Sequence, residues 1–156
     1  MASCKLDERE STRFMAGKQQ MRNFELDARL AADSVPVADL ELCSLRLVND
    51  RRFPWLLLIP RRAGCTEVLD LAADDQAQLW QEVLQVAAIM RALTQPDKLN
   101  IATLGNQVAQ LHIHVIARFR GDVAWPRPVW GVGEAEPSDE AGADLITRLR
   151  NALAEA

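Results

Sequence analysis

The chain of 156 residues has no long hydrophobic run: purely apolar stretches stop at five residues, as in Trp55–Ile59. A membrane-spanning helix needs roughly 20. The region after Met1 carries Asp and Glu where a signal peptide would be apolar, so the expectation is a soluble, cytoplasmic chain. An excess of positive charge is also missing. Eighteen Lys and Arg stand against 22 Asp and Glu, a formal net charge of −4, and that balance does not attract a nucleic-acid polymer or a membrane surface. Cysteine is scarce. Cys4, Cys43 and Cys65 are odd in number and hold no C-x-x-C pair, which fits reduced thiols better than a disulfide framework or a zinc knuckle. There is no G-x-G-x-x-G and no repeated strand-helix alternation, which disfavours a Rossmann fold.

What is present suffices for one domain, since 49% hydrophobic residues supply apolar surface for a single core. Residues 1–20 mix charges with small polar residues and read as a poorly ordered N-terminal extension. Met21, a candidate start, opens a single domain over 21–156. Phe24, Leu26, Leu30 and Ala31 make the apolar side of a short helix ending near Asp33. Leu40–Val48 alternates apolar and polar residues, the period of a half-buried strand. The polar turn Asn49–Pro54 then leads into Trp55–Ile59, which predicts an antiparallel hairpin. Arg51-Arg52 and Arg61-Arg62 read as its solvated ends.

Between Ala72 and Thr94, Leu79, Val83, Val86, Met90 and Leu93 recur at spacings of four and three, one stripe of a long helix. Asp70, Asp74 and Asp75 at its start and Arg91 near its end suit the helix dipole, and Pro96 stops it. Strands are expected at Lys98–Leu104 and Gln110–Phe119. The loop Trp125–Gly131 either packs as a rigid cover on the sheet or borders a ligand pocket or a partner subunit. A final helix, capped by Ser138, runs to about Ala154. This order predicts an α+β domain, an antiparallel sheet covered on one face by helices.

Both histidines of the chain, His112 and His114, fall in Gln110–Ile116. Strand geometry puts Gln110, His112 and His114 on one side and Leu111, Ile113 and Val115 in the core. Adjacent imidazoles can hold a metal or attack phosphorus. A metal would need a third and usually a fourth ligand, which neither another histidine nor the cysteine spacing supplies. Phosphoryl or nucleotidyl transfer needs less: one imidazole nucleophile in the right tautomer, a second donor and backbone N–H groups. The turn Gly105-Asn106 lets backbone come close to a phosphate.

Gln110-Leu111-His112-Ile113-His114-Val115-Ile116 resembles the His-φ-His-φ-His-φ-φ motif of the histidine triad (HIT) superfamily of nucleotide hydrolases and transferases, with glutamine in the first histidine position. Leu47-Val48-Asn49, the proline turn and Leu57-Leu58-Ile59-Pro60-Arg61 are similar to the family's hairpin, with Trp55 at its histidine position. Asn100-Ile101-Ala102 and Gly105–Gln110 are similar to its later segments, and the likeness spans about residues 24–131. It implies a five-stranded antiparallel sheet with one long helix and shorter flanking helices, paired in a two-fold homodimer. It also implies hydrolysis or transfer at the α-phosphate of a purine nucleotide or dinucleoside polyphosphate through a nucleotidyl-histidine intermediate.

By position, His112 is then the nucleophile, His114 holds phosphate and leaving group, and Gln110 orients the nucleophile as an amide that cannot shuttle a proton. Asn49, by the ribose, Gly105 and Asn106, near the phosphates, and Asp50 and Asn100 are the implied substrate-binding positions. No resident metal or cofactor is required, a divalent metal at most accompanying the substrate. Two alternatives stay open: a nucleotide-binding module of the same fold with little turnover, and a metal-dependent protein using His112 and His114.

Overall fold

The computed structural model describes residues 24–156. The expected loose extension over 1–20, the start of the domain at Met21 and Cys4 therefore lie outside the described residues. Elements follow in the order α1 (Ala28–Ala32), β1 (Ser34–Asp39), β2 (Cys43–Val48), β3 (Trp55–Pro60), a 3-10 turn (Val68–Asp70), α2 (Ala73–Thr94), β4 (Lys98–Ala102), β5 (Ile113–Arg118) and α3 (Glu140–Ala154). The strands make one antiparallel sheet ordered β1-β2-β3-β5-β4.

The alternation read over 40–48 yields β2, whose Cys43, Leu45 and Leu47 enter the main core with Leu56 and Leu58 of β3. β1 has no counterpart in the sequence reading, which gave residues 34–39 no strand. Pro36 obscures it, and a bulge between Pro36 and Ala38 breaks its register. Proline is tolerated there because β1 is an edge strand. The bulge carbonyls are taken up from across the fold: Arg150 of α3 donates to Val37 O at 2.7 Å and Pro36 O at 3.2 Å.

α2 buries Leu79, Val83, Val86 and Met90 as its spacing predicts, while Leu93 is half-buried. Its stripe also carries Glu82, only 3% exposed, which accepts from Leu42 N at 2.6 Å and Cys43 N at 2.9 Å. That carboxylate fastens the helix to the β1–β2 turn, with backbone donors in place of the water lost on burial. The helix ends at Gln95 in the left-handed region, φ 47°, just before Pro96. α3 is capped by Asp139, whose side chain accepts from Ala141 N at 3.0 Å, one residue later than the expected Ser138. It buries Leu145 and Leu149. Among the described residues no helix is long and apolar enough to cross a membrane.

The sheet is not covered on one face alone. α2 and α3 cover the face bearing Leu45, Leu56 and Ile113. On the opposite face Leu57 and Ile59 lie under Leu30, Phe24 and Leu26, and Ile116 lies under Ala124 and Val129. Between these two partial covers a cleft remains open over β3 and β5.

Candidate active site

The cleft has a volume of about 440 Å³. His112 and His114 form its floor, the backbone of Leu104–Val108 one side, Leu30, Val48 and Leu57 an apolar end, and Val129–Gly133 the opposite wall. β5 begins at Ile113, so Gln110 and His112 precede the paired strand that the sequence was expected to start at 110. The in-and-out alternation nonetheless continues back to Leu111, whose N donates to Cys65 O at 3.0 Å and whose side chain is core. That holds His112 on the cleft side.

His112 Nδ1 lies 2.7 Å from Gln110 O. A carbonyl only accepts, so Nδ1 carries the proton and Nε2 is left with its lone pair. Among the described residues Nε2 has no protein partner. Gly105 comes close here: a Cβ on it would press on Val108 O at 3.1 Å and lie in ordinary contact with His112 Cε1 at 3.6 Å.

His114 stands edge-on to His112, ring centroids 4.7 Å apart. Both its nitrogens are engaged. Trp55 Nε1–H donates to Nδ1 at 2.9 Å, and Nε2–H donates to Leu104 O at 2.9 Å. Trp130 closes on the same ring, 5.2 Å from His114 and 5.5 Å from Trp55. Burial pulls the His114 pKa down to about 4, the Leu104 carbonyl opposing and the neighbouring His112 adding to the shift. The imidazole is neutral near pH 7.

A stability prediction follows from the sign of that shift. Between the ordinary value of 6.5 and about 4, the unfolded chain binds a proton that the folded chain refuses. Folding stability should therefore be intact above pH 6.5 and fall as pH drops through this window, by about 3 kcal/mol at full burial. Chemical denaturation at pH 7 and pH 4.5, compared with the same pair for His114→Gln, isolates the effect. An equal pH loss in both proteins would rule it out.

Of the other residues singled out from the sequence, Gly105, Asn106 and Asp50 line the cleft, whereas Gln110, Asn49 and Asn100 do not. The Gln110 amide is tied to the N-terminal segment: its Oε1 accepts from Asp27 N and its Nε2 donates to Glu25 O, both at 2.9 Å. Gln110 thus meets His112 through its backbone carbonyl, and its side chain straps residues 25–27 over the sheet. Asn49 Oδ1 accepts from Ser138 N at 2.8 Å. Asn100 Oδ1 accepts from Arg118 Nη1 at 2.9 Å.

Arg52 and Arg62 are not solvated hairpin ends. Arg52 binds Asp50 through Nε at 2.8 Å and Nη2 at 2.7 Å, with Nη1 on Val132 O. Burial alone would raise the Asp50 carboxyl, but Arg52 and the Glu136 N–H together hold it below the usual carboxylate range. Arg62 pairs with Asp75 at 2.7 Å.

The loop Trp125–Gly131 packs on the sheet and also borders the cleft. Val129 packs with Phe53 and Ile116, and Trp130 walls the cleft. Sequence reasoning missed Trp55 as a donor to His114; the only signal was an indole at the family's hairpin-histidine position. Among the described residues no group of three or more His, Cys, Asp or Glu comes together as a metal site.

Residues 29–121 match the family model described as the HIT domain. Three solved structures are similar over nearly their whole length. A histidine triad protein from Sinorhizobium meliloti 1021 is 49% identical, with TM-score 0.82, over 84% of this chain and 98% of that one. One from Bradyrhizobium japonicum is 45% identical, TM-score 0.80, over 82% and 96%. One from Marinobacter aquaeolei VT8 is 40% identical, TM-score 0.81, over 85% and 97%. A search of the curated proteins found no match.

Proposed function

Because this chain belongs to the HIT domain family, we propose that it transfers or hydrolyses the nucleoside monophosphoryl group of a nucleotide or dinucleoside polyphosphate, with His112 Nε2 attacking the α-phosphorus. The observation that carries this reading is the hydrogen bond from His112 Nδ1 to Gln110 O, 2.7 Å. In the neutral ring it fixes the tautomer that leaves the nucleophilic lone pair on Nε2. The remaining lining supports it. Backbone of Gly105 and Asn106 approaches where phosphate oxygens would lie, and Leu30, Val48, Leu57 and Val108 offer an apolar slot for a base. Asp50, held as the carboxylate by Arg52, lines the cleft and would accept from ribose hydroxyls. The chemistry needs no resident cofactor, a divalent cation at most accompanying the substrate's phosphates.

The test is to quench the protein during turnover of an adenosine 5′-phosphoryl substrate and look for an acid-labile adenylyl group on His112. Its absence with every substrate that the protein consumes would eliminate the covalent route. Nucleotide binding at the same cleft with no consumption would favour the alternative of a binding module.

We also infer a homodimer. Among the described residues β4 is an unpaired sheet edge with Ile101 41% exposed, and α2, which packs over neighbouring β5, leaves Trp80 and Leu84 42% and 64% exposed. Exposed apolar side chains beside a free strand edge are the usual signs of a covered surface. Light scattering should give about twice the 17.4 kDa chain mass, unchanged by removal of residues 1–20; a stable monomer at micromolar concentration would refute it.

A further inference from the structure

The hydrogen bonds around His112 restrict which bond the site can break. Departure of a basic group, an amine or an unactivated alcohol, requires a proton delivered in the transition state, whereas phosphate or pyrophosphate departs as a stable anion. The obvious donors are the side chains flanking His112 on the same side of the chain, and each is already committed. Trp55 Nε1–H occupies His114 Nδ1, and the Leu104 carbonyl holds the proton on His114 Nε2. The Gln110 amide, bonded to Glu25 O and Asp27 N, has no acidic proton in any case. His112 keeps its own Nδ1 proton on Gln110 O.

The other charged groups of the cleft do not replace them. Asp33 stands exposed at the C-terminal end of α1, which it meets through its backbone N–H only; Asp50 is bound by Arg52 and held as the carboxylate, and Arg52 supplies charge but no transferable proton. Protonating His114 would mean charging a buried ring and breaking the Trp55 bond, and the shift of its pKa to about 4 runs against both.

We propose that this cleft selects its substrate by the basicity of the departing group: with both ring nitrogens of His114 occupied by Trp55 and the Leu104 carbonyl, and the Gln110 amide committed to the N-terminal segment, only nucleoside phosphates whose leaving group is stable as an anion, above all phosphoric anhydrides, are turned over efficiently. This rests on His112 being the nucleophile. The His112 Nε2 lone pair forms the N–P bond as the P–O bond to the leaving group breaks, and that bonding pair departs on the leaving oxygen without a proton. The imidazolium so formed keeps its Nδ1–H on Gln110 O. Water then attacks phosphorus, the N–P pair returns to Nε2, and the proton lost by the water passes to solvent. Trp55 is in this scheme a positioning residue, acting on the reaction through the tautomer of His114.

A series of adenosine 5′-phosphoryl compounds differing only in the leaving group tests it at neutral pH: an anhydride, the p-nitrophenyl ester, an alkyl ester and an alkylamidate. Adduct formation should fall steeply with leaving-group basicity, the alkyl ester and amidate lagging by about 10²–10⁴-fold, the usual worth of a general acid. Basic members reacting within tenfold of the p-nitrophenyl ester would overturn the inference while leaving His112 as nucleophile. Failure of the whole series to label His112 would overturn both. A second readout does not depend on turnover. Nitrogen NMR of the wild-type protein at pH 7 should show His114 as the neutral tautomer protonated on Nε2 and accepting on Nδ1; an imidazolium there would overturn the inference.

Discussion

His112→Asn is expected to lower nucleotidyl transfer by at least about a thousandfold, because a carboxamide offers no comparable lone pair to phosphorus. The fold should be kept. Although His112 is only 5% exposed, its one protein hydrogen bond is the donation to Gln110 O, and the asparagine Nδ2–H can supply that donor from a similar position. Nucleotide affinity, carried by the rest of the cleft, should stay within about threefold, less than one kcal/mol. Steady-state rates and calorimetric titration with a nonhydrolysable nucleotide make the comparison, and the adenylyl adduct should vanish with the rate. Retention of more than a tenth of the wild-type rate would sink the covalent mechanism.

The second large effect is on stability and lies beneath Trp125, whose ring the Arg118 guanidinium faces at 5.8 Å. Arg118 and Asp122 form an ion pair at 2.8 Å with side chains 2% and 4% exposed. Arg118 also donates to Asn100 Oδ1 and Arg127 O, and Asp122 accepts from Ala124 N. The guanidinium, with backbone N–H groups beside it, holds the Asp122 carboxyl below its usual range. Asp122→Ala removes the counter-charge and leaves a buried guanidinium, a change that costs about 3–5 kcal/mol. The double variant Arg118→Met/Asp122→Ala should recover much of that loss, since it removes the orphaned charge. Urea denaturation of the two variants measures both. A loss under about 1 kcal/mol for Asp122→Ala would mean that the pair is solvated. Because this pair anchors the 119–131 segment, the single variant should also weaken nucleotide binding through displacement of Trp130.

How much was legible in advance varied with how local the cause was. β2, β3, α2 and β5 announce themselves because each carries its own period, two or 3.6 residues, over enough positions to be counted. β1 does not, since Pro36 and the bulge spoil its alternation and its pairing is supplied by β2. Asp139 rather than Ser138 caps α3, a one-residue choice between two competent side chains. The H-x-H pair and the Gly105 turn could be located from residue type and spacing. What the flanking side chains do could not. The sequence put Gln110 beside His112, yet its amide answers to Glu25 and Asp27, more than 80 residues earlier. Asn49 and Asn100 likewise have their Oδ1 atoms taken by Ser138 N and Arg118 Nη1.

The sequence by itself determined the family, the order of the strands other than β1, and where the two imidazoles lie, because those depend on local motifs and short-range periodicity. Tertiary structure alone decided the protonation pattern of the cleft. A hydrogen bond needs its donor and acceptor within about 3 Å, and each ring nitrogen can take only one such partner. Trp55 reaches His114 only because β3 pairs with β5, and Leu104 does so only because the β4–β5 connection folds back over the same ring.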